Sequence, residues 1–474
     1  MRQNLLATAT AVFLAVLALS WVFHGTGLVR NDLSRNIYIP DALTMPLQVK
    51  AAYDGKNIYF RYRWPAREPH IYHDMLRYEG GKWVRIGRSV PGPQPEHIYE
   101  DRVTMLVDDG SVPEFEKYGG YIPIGDRMRF FTAEAAKAEV QAHPYLGAKK
   151  NQEEVRKHLP ETRVDVADWR SVVPEEKLAA QRKAGYFLDL WHWRAHRSNP
   201  IGASDDEVIA ESRFGDKGKG PFTNNWDAKL ARPQLMFDPA KTGRVALRWE
   251  DLAARKLGFD DVYYLREDQA KPFDPQHPWK DGDVIPQRLL RAGDDSHADI
   301  KVHGNARWKE GFWDVTLVRA MDTGHPLDDK IFMDQRVYTA AFAVHRDAVG
   351  SRWHYVSLPV RVGLDREADL KAVKFAGDAP KWDQEWHEVQ LFYPGQVSWP
   401  MLKSRMHAGA AKIRQGVPVK ARHSEAQLAH YGVEMEFNDA IIRQWLLTLA
   451  AGLALIAGLG FAVLRTMAKD GEAK

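Results

Sequence analysis

The chain has no cysteine among its 474 residues. Without thiols it cannot form disulfides, cysteine-ligated zinc sites, iron–sulfur clusters or covalently attached haem, and it has no cysteine nucleophile. A surplus of one charge sign is also missing, because 66 Lys and Arg side chains are balanced by 63 Asp and Glu side chains, for a formal net charge of +3. This balance gives no case for nucleic-acid binding.

Several catalytic signatures are absent as well. The sequence has no Gly-x-Ser-x-Gly elbow, phosphate-binding loop, His-Glu-x-x-His motif or dinucleotide-binding fingerprint. Hydrophobic residues make up 45% of the chain and charged residues 27%, which excludes a mainly disordered protein and a polytopic membrane protein.

Two long apolar segments bracket the chain. Residues 5–23 form the first, and a helix of this length spans about 28 Å, close to the thickness of a bilayer core. Residues 1–29 are therefore predicted to be a transmembrane anchor or a signal peptide, because Ala18-Leu19-Ser20 is an acceptable cleavage site. Either alternative exports the residues that follow.

The second apolar segment predicts a C-terminal transmembrane helix over residues 440–465. Trp445 stands near one end, where amphipathic rings favour the membrane interface, and Arg465 and Lys469 follow the other end. The positive-inside rule places residues 466–474 in the cytoplasm. The protein is thus expected in the inner membrane, with its main domain in the periplasm.

Short alternating segments separated by turn signals fill the exported region. Asp54-Gly55-Lys56 and Glu310-Gly311 each lie between two alternating segments and predict hairpins. Further strands are predicted over residues 102–107, 186–194, 338–344 and 353–362.

This pattern predicts a mainly β fold: an antiparallel β-sandwich with a helical insertion, flanked by N- and C-terminal transmembrane helices. The sandwich is assigned to residues 30–380 and the insertion, rich in Ala, Glu, Lys and Gln, to about 130–185. Residues 381–439 are predicted to be an irregular or helical membrane-proximal segment.

Histidine and methionine remain as metal ligands that need no cysteine. Met105 lies inside a predicted strand, and His192 lies between two tryptophans, so that it faces away from both. His345 ends one predicted strand and His354 begins the next. For each of these residues a packed or surface side chain is the alternative interpretation.

Paired acidic residues are the other potential ligands. Each pair lies beside turn residues, where a turn or a helix cap is the alternative to calcium binding through carboxylate oxygens. None has the spacing of a calcium-binding loop. The pairs are Asp108-Asp109, Asp205-Asp206-Glu207, Asp260-Asp261 and Asp328-Asp329.

Five segments together resemble a known family. The segment Gly-Phe-Trp-Asp-Val-Thr-Leu-Val-Arg-Ala-Met-Asp-Thr-Gly from Gly311, with Trp-His-Tyr-Val-Ser-Leu-Pro-Val from Trp353 and Leu-Trp-His-Trp-Arg from Leu190, is similar to the haem-binding domain of the ethylbenzene dehydrogenase gamma-subunit family. Residues 54–64 and 338–345 resemble it too, so the similarity covers about residues 45–365.

The resemblance implies a β-sandwich that holds one non-covalent haem b between two axial ligands, a methionine and a late lysine. His354 stands at the position of that lysine, ahead of Val356-Ser357, and is the first choice as a nitrogen ligand. Met105, Met128 and His192 are the alternatives for the second ligand. The Cys-x-x-Cys-His motifs of some membrane-anchored relatives cannot occur in this chain.

The leading hypothesis is a membrane-anchored periplasmic b-type cytochrome domain that transfers electrons and has no substrate chemistry of its own. Its expected partner is a quinol-oxidising protein or a molybdenum-type oxidoreductase subunit. The alternatives are a haem-free β-sandwich that binds carbohydrate or another small ligand, with or without calcium, and a structural or assembly subunit of a membrane redox complex.

Overall fold

The computed structural model describes residues 2–24, 44–88, 94–121, 135–155, 157–165, 168–348, 354–392 and 434–472. These residues form a mainly β protein with mostly antiparallel strand pairing, as the alternating sequence predicted. Met128 lies outside the described residues.

The strands are numbered in chain order. The first twelve are β1 Thr44–Tyr53, β2 Asn57–Pro65, β3 Met75–Glu79, β4 Lys82–Ile86, β5 Arg102–Asp108, β6 Leu188–Arg194, β7 Asp205–Ile209, β8 Arg213–Gly215, β9 Phe222–Asn224, β10 Trp226–Asp227, β11 Arg232–Pro233 and β12 Leu235–Phe237. The others are β13 Leu247–Arg248, β14 Leu265–Arg266, β15 Ala270–Pro272, β16 Asp283–Pro286, β17 Arg288–Leu290, β18 Lys301–Val302, β19 Arg307–Lys309, β20 Phe312–Ala320, β21 Val337–His345, β22 Tyr355–Ser357, β23 Val360–Leu364, β24 Leu370–Lys374 and β25 His387–Phe392.

Within the described residues the α-helices are few and, apart from the two terminal ones, short. They are α1 Arg2–His24, α2 Phe115–Tyr118, α3 Lys137–Ala142, α4 Glu175–Lys183, α5 Pro239–Thr242, α6 Trp249–Ala253 and α7 Glu434–Glu472. Two of them, α3 and α4, fall within the segment where a helical insertion was predicted.

Both predicted hairpins form, and local chemistry explains each. Asp54 Oδ1 accepts hydrogen bonds from the backbone N–H groups of Lys56 and Asn57, which closes the turn between β1 and β2. Between β19 and β20, Glu310 and Gly311 both have positive φ, at 52° and 86°, as a two-residue hairpin turn requires.

One 14-stranded sheet contains most of the strands of the described residues. Its main path runs β18-β20-β2-β1-β24-β23-β21-β5-β6-β7-β8, while β19, β22 and β25 pair beside it. The pairings β1–β24 and β23–β24 are parallel, in contrast to their antiparallel neighbours.

The two halves of this sheet, one containing β2 and β20 and the other containing β5, β6 and β7, pack against each other through aromatic rings. Trp64 of β2 and Trp313 of β20 contact Trp193 of β6, with ring centroids 6.0 and 5.2 Å apart. Phe60 of β2 contacts Trp191 of β6 at 5.6 Å. All five rings are at most 1% exposed, so this contact forms the centre of the hydrophobic core.

Two sequence predictions differ from the structure in detail. The single strand predicted over 353–362 is divided into β22 and β23, because Pro359 has no N–H to donate to a ladder. Within residues 381–439, predicted to be irregular or helical, the structure places β25, which pairs with β1 and β22.

The terminal helices contact each other. Among the described residues, one stretch, Trp445–Thr466 of α7, has the length and composition to cross a membrane, which supports the C-terminal anchor only weakly. The apolar stretch of α1, Leu6–Leu19, is shorter and does not meet that length. The ring of Phe13 lies against Gly452, where there is no room for a Cβ atom.

Candidate functional site

The outer face of the sheet formed by β5, β6, β7, β21 and β22 is polar and buried. Directly opposed residues in antiparallel strands share a face, so the register assigns side chains to it. One row across the strands contains Val356, Ala343, Thr104, His192 and Asp205. The adjacent rows contain His345, Arg102 and Arg194 on one side and Ala341, Leu106, Leu190 and Glu207 on the other. We call this surface the histidine face.

The opposite face of the same strands belongs to the hydrophobic core. Met105 is directly opposed to Trp191 and Phe342, and it is 1% exposed. The hydroxyl of Tyr62, which comes from the other half of the sheet, donates to Met105 Sδ at 3.3 Å. Met105 therefore packs between the two halves, away from the histidine face.

His192 lies in a network of charged, hydrogen-bonding side chains on the histidine face. Its Nδ1 lies 2.9 Å from Glu207 Oε2 and 2.8 Å from Arg194 Nη2. Nδ1 can satisfy only one of these two neighbours. Arg194 has other acceptors, because it also donates to Asp205 and to Glu207, so the proton is assigned to Nδ1, which donates to Glu207. In that tautomer Nε2 carries the lone pair, and this buried atom has no hydrogen-bond partner.

Electrostatics keep His192 neutral and Glu207 ionised. Burial, followed by the charge of Arg194, holds the pKa of His192 well below the ordinary 6.5. Burial alone would raise the pKa of Glu207, but Arg213 and Arg194 hold it well below its ordinary range. A neutral imidazole fixed at Nδ1 by a carboxylate is the arrangement that metal-ligating histidines adopt.

Two buried arginines on the same face have unsatisfied N–H groups. Arg102 Nη2 and Arg194 Nε have no hydrogen-bond partner, although the two side chains are only 6% and 3% exposed. Arg102 pairs with Glu100 at 3.4 Å. Leaving such donors unpaired is costly, so the face is suited to an anionic group such as a carboxylate.

Another part of the chain covers this face. The ring of Phe222 in β9 lies 5.3 Å from the guanidinium carbon of Arg194 and 4.9 Å from that of Arg197. His297 Nε2 lies 2.9 Å from Asp205 Oδ1 at the β7 end of the face. The covering segments explain why polar side chains on an outer sheet face are buried.

His345 and His354 lie together at the β21–β22 end of the histidine face. Their rings are stacked, with centroids 4.6 Å apart and planes inclined by 16°. Two rings stacked face to face in this way would not hold one iron between them as a pair of ligands. One of them can ligate while the other packs against it.

The predicted ligands are therefore distributed over two faces. His192 and His354 belong to the histidine face but are separated by β5 and β21, whereas Met105 lies on the core face. The structure brings His354 beside His345, not beside His192 or Met105. Their assignment as axial ligands stays a prediction.

Sequence reasoning did not identify the residues that surround His192. Arg102 and Arg194 were not selected, although strict alternation places Arg194 on the same side of β6 as His192. Glu207 was named only as part of an acidic run beside a turn. The contact of Glu207 with His192 depends on the pairing of β6 with β7, across a loop of ten residues that carries no register signal.

The fit of the histidine face to haem rests on Nε2 of His192 and on the unpaired N–H groups of Arg102 and Arg194. A neutral imidazole with a free ring nitrogen suits an iron centre, and unpaired guanidinium N–H groups suit the propionate carboxylates of haem. In their donor chemistry, the residues present therefore fit the group that the sequence resemblance implies.

The fold and this face define a mainly β protein with a buried layer of histidine, arginine and carboxylate side chains and a C-terminal apolar helix. The sequence profile of the ethylbenzene dehydrogenase family matches residues 9–357, which include the whole histidine face, and the chain belongs to that family. A comparison with curated proteins finds no match.

Proposed function

We propose that this protein is a membrane-anchored, haem-b-binding electron-transfer subunit, with haem held at the histidine face of a β-sandwich. The observation that carries the proposal is His192, whose buried Nε2 has no hydrogen-bond partner while Nδ1 lies 2.9 Å from Glu207. Membership of the ethylbenzene dehydrogenase family supports it. The family context favours a molybdenum-type oxidoreductase or a quinol-oxidising protein as the redox partner.

The residues of the histidine face have separate roles in this proposal. His192 and His354 are the two nitrogen donors in question for iron, and the geometry around Nε2 favours His192. Glu207 fixes the imidazole and raises its basicity. Arg102 and Arg194 hold the propionates.

Bound haem supplies one-electron oxidation and reduction, and the protein controls where that chemistry takes place. Phe222 and the neighbouring segments exclude water from the face. Burial and the local arginine charges then determine the reduction potential. In this proposal the apolar helix Trp445–Thr466 anchors the domain to the inner membrane. The domain lies in the periplasm, as the positive-inside rule favours.

The test is a visible absorption spectrum of the detergent-purified full-length protein, oxidised and reduced, with a pyridine haemochrome assay. We expect haem b with a Soret band that His192→Ala abolishes or shifts. His354→Ala is compared in parallel, because the stronger effect identifies the ligand. His277→Ala is the matched control, since that ring packs on Trp279 in the loop before β16.

The competing function is a haem-free binding module. The unpaired N–H groups of Arg102 and Arg194 would equally suit a free carboxylate ligand. A protein that stays colourless after haem addition, but gains thermal stability with an organic acid, would replace the haem proposal.

A further inference from the structure

We infer that a calcium ion binds in the core between the two halves of the large sheet, held by Asp189, Asp206 and Asp329. Asp189 lies on β6, Asp206 on β7 and Asp329 in the loop after β20. One carboxylate oxygen from each lies within 4.8 Å of the others, and all three residues are at most 2% exposed. The inference is independent of haem binding.

The site is organised around one buried guanidinium. Arg319 of β20 donates from Nη1 to Asp206 Oδ2 at 3.1 Å and to Asp329 Oδ1 at 2.8 Å, and from Nη2 to Asp189 Oδ2 at 2.7 Å. Arg319 comes from one half of the sheet and Asp189 and Asp206 from the other. The cluster therefore connects the two halves.

A single guanidinium does not balance the negative charge of this region. Asp216 and Asp299 also act on the cluster, so five carboxylates face Arg319. The nearby ammonium of Lys330 is engaged elsewhere, at 3.1 Å from Asp108 Oδ1 and 2.7 Å from Asp109 Oδ1. Buried carboxylates in such excess need additional positive charge.

The carboxylate of Asp216 is an independent observation that points to a cation. It is only 6% exposed, and neither of its carboxylate oxygens has a hydrogen-bond partner. Its backbone N–H donates to Asp206 O at 3.2 Å, which places it beside the cluster. Asp189 Oδ1 and Asp206 Oδ1 are also buried without a hydrogen-bond partner. Carboxylate oxygens from three residues can therefore coordinate a cation.

Protons are the competing source of positive charge. Burial, followed by the neighbouring carboxylates, raises the pKa of Asp206 and Asp216 well above 3.8, and raises that of Asp329 to about 7. A bound dication would leave all of these groups ionised. The donor set consists of oxygen alone, which favours calcium over zinc, and Mg²⁺ dehydrates reluctantly in sites without water.

The first test is a terbium titration of full-length protein stripped with EGTA. The ring of Trp191 lies 4.8 Å from the guanidinium carbon of Arg319, so tryptophan excitation should sensitise a Tb³⁺ ion bound here. We expect saturable Tb³⁺ luminescence that Ca²⁺ displaces and Mg²⁺ at the same concentration does not. The absence of saturable luminescence would overturn the inference.

The second test compares Asp216→Asn with the wild type. We expect the variant to fold, because it loses a repulsive charge, and to bind Ca²⁺ at least about tenfold more weakly. Ca²⁺ should raise the Tm of the EGTA-treated wild type and leave that of the variant nearly unchanged. Asp260→Asn, at a side chain that is 84% exposed, is the matched control and should respond like the wild type.

Equal Ca²⁺ responses of wild type and Asp216→Asn would contradict this site. A wild type without any Ca²⁺ response would show that protons neutralise the cluster. Both results are readable without haem, so failure of the calcium inference and failure of the proposed function are distinguishable.

Discussion

The two faces of β6 are both buried, but they are built from opposite chemistry. Trp191 and Trp193 point into the aromatic core, while His192 and Arg194 point into a polar layer, and all four are at most 4% exposed. Antiparallel strands commonly have one buried and one solvated face. The core face of β6 therefore supplies stability through packing. Its outer face is stable only when its polar groups are satisfied, and it is the face to which the proposed function is assigned.

The largest expected difference in unfolding free energy lies between alanine variants of Trp193 and of its neighbour His192. Trp193→Ala should lower the free energy of unfolding by about 3–5 kcal/mol, because it leaves a cavity among Trp64 and Trp313. His192→Ala should cost less stability and mainly affect haem. Chemical denaturation of both variants measures the contrast, and equal losses would remove the functional distinction between the faces.

The second comparison concerns the stability contribution of Met105, on the neighbouring strand β5. Met105→Ala should cost about 2–5 kcal/mol, since Met105 is fully enclosed between Tyr62, Trp191 and Phe342. The measurement is urea unfolding followed by tryptophan fluorescence. A loss below about 1 kcal/mol would show that the core around Met105 is not tightly packed.

The stability contributions of His192, on the histidine face, and of Asp329, in the acidic cluster on the core side, should depend on pH with opposite sign. The pKa of His192 is depressed in the fold, so its contribution to stability is complete above its ordinary pKa of 6.5 and is lost as the pH falls below that value. The pKa of Asp329 is raised from 3.8 to about 7, so its contribution is present below 3.8 and is lost as the pH rises toward about 7.

Each of these groups contributes at most about 1.4 kcal/mol per pH unit. In calcium-free protein, His192→Phe should reduce the loss of stability on the acid side, and Asp216→Asn should reduce the loss on the alkaline side. Unfolding free energies between pH 4 and 8 check both slopes. Identical slopes in the two variants would refute the opposite signs.

The smallest expected effect is that of Thr104→Val. Thr104 lies beside Met105 but on the histidine face, where its Oγ1 donates weakly to Ala343 O at 3.4 Å. We expect a change in unfolding free energy within about 1 kcal/mol. A loss as large as that of Met105→Ala would mean that the polar layer is as tightly packed as the core.

Local signals in the sequence were sufficient for much of the fold. Asp54 and the Glu310-Gly311 pair specify their turns by nearby backbone contacts, and alternation correctly placed His192 opposite its two tryptophans. Pro359 interrupts a strand that alternation alone had extended.

The candidate sites depend on contacts that the sequence does not encode locally. Asp206 and Asp329 were recognised only as members of acidic pairs beside turns, for which calcium was one alternative. Their association with Arg319 requires the register of β6, β7 and β20 across two halves of the sheet. The stacking of His345 on His354 likewise depends on how β21 pairs with β22.

The most direct test of the account compares haem binding by two variants on opposite faces. Both His192→Ala and Met105→Leu are purified as full-length protein after expression with sufficient haem, and their Soret bands are compared with that of the wild type. The account predicts that Met105→Leu retains the wild-type spectrum and that His192→Ala loses or shifts it. Loss in Met105→Leu with an unchanged His192→Ala would place haem in the core and contradict the assignment to the histidine face.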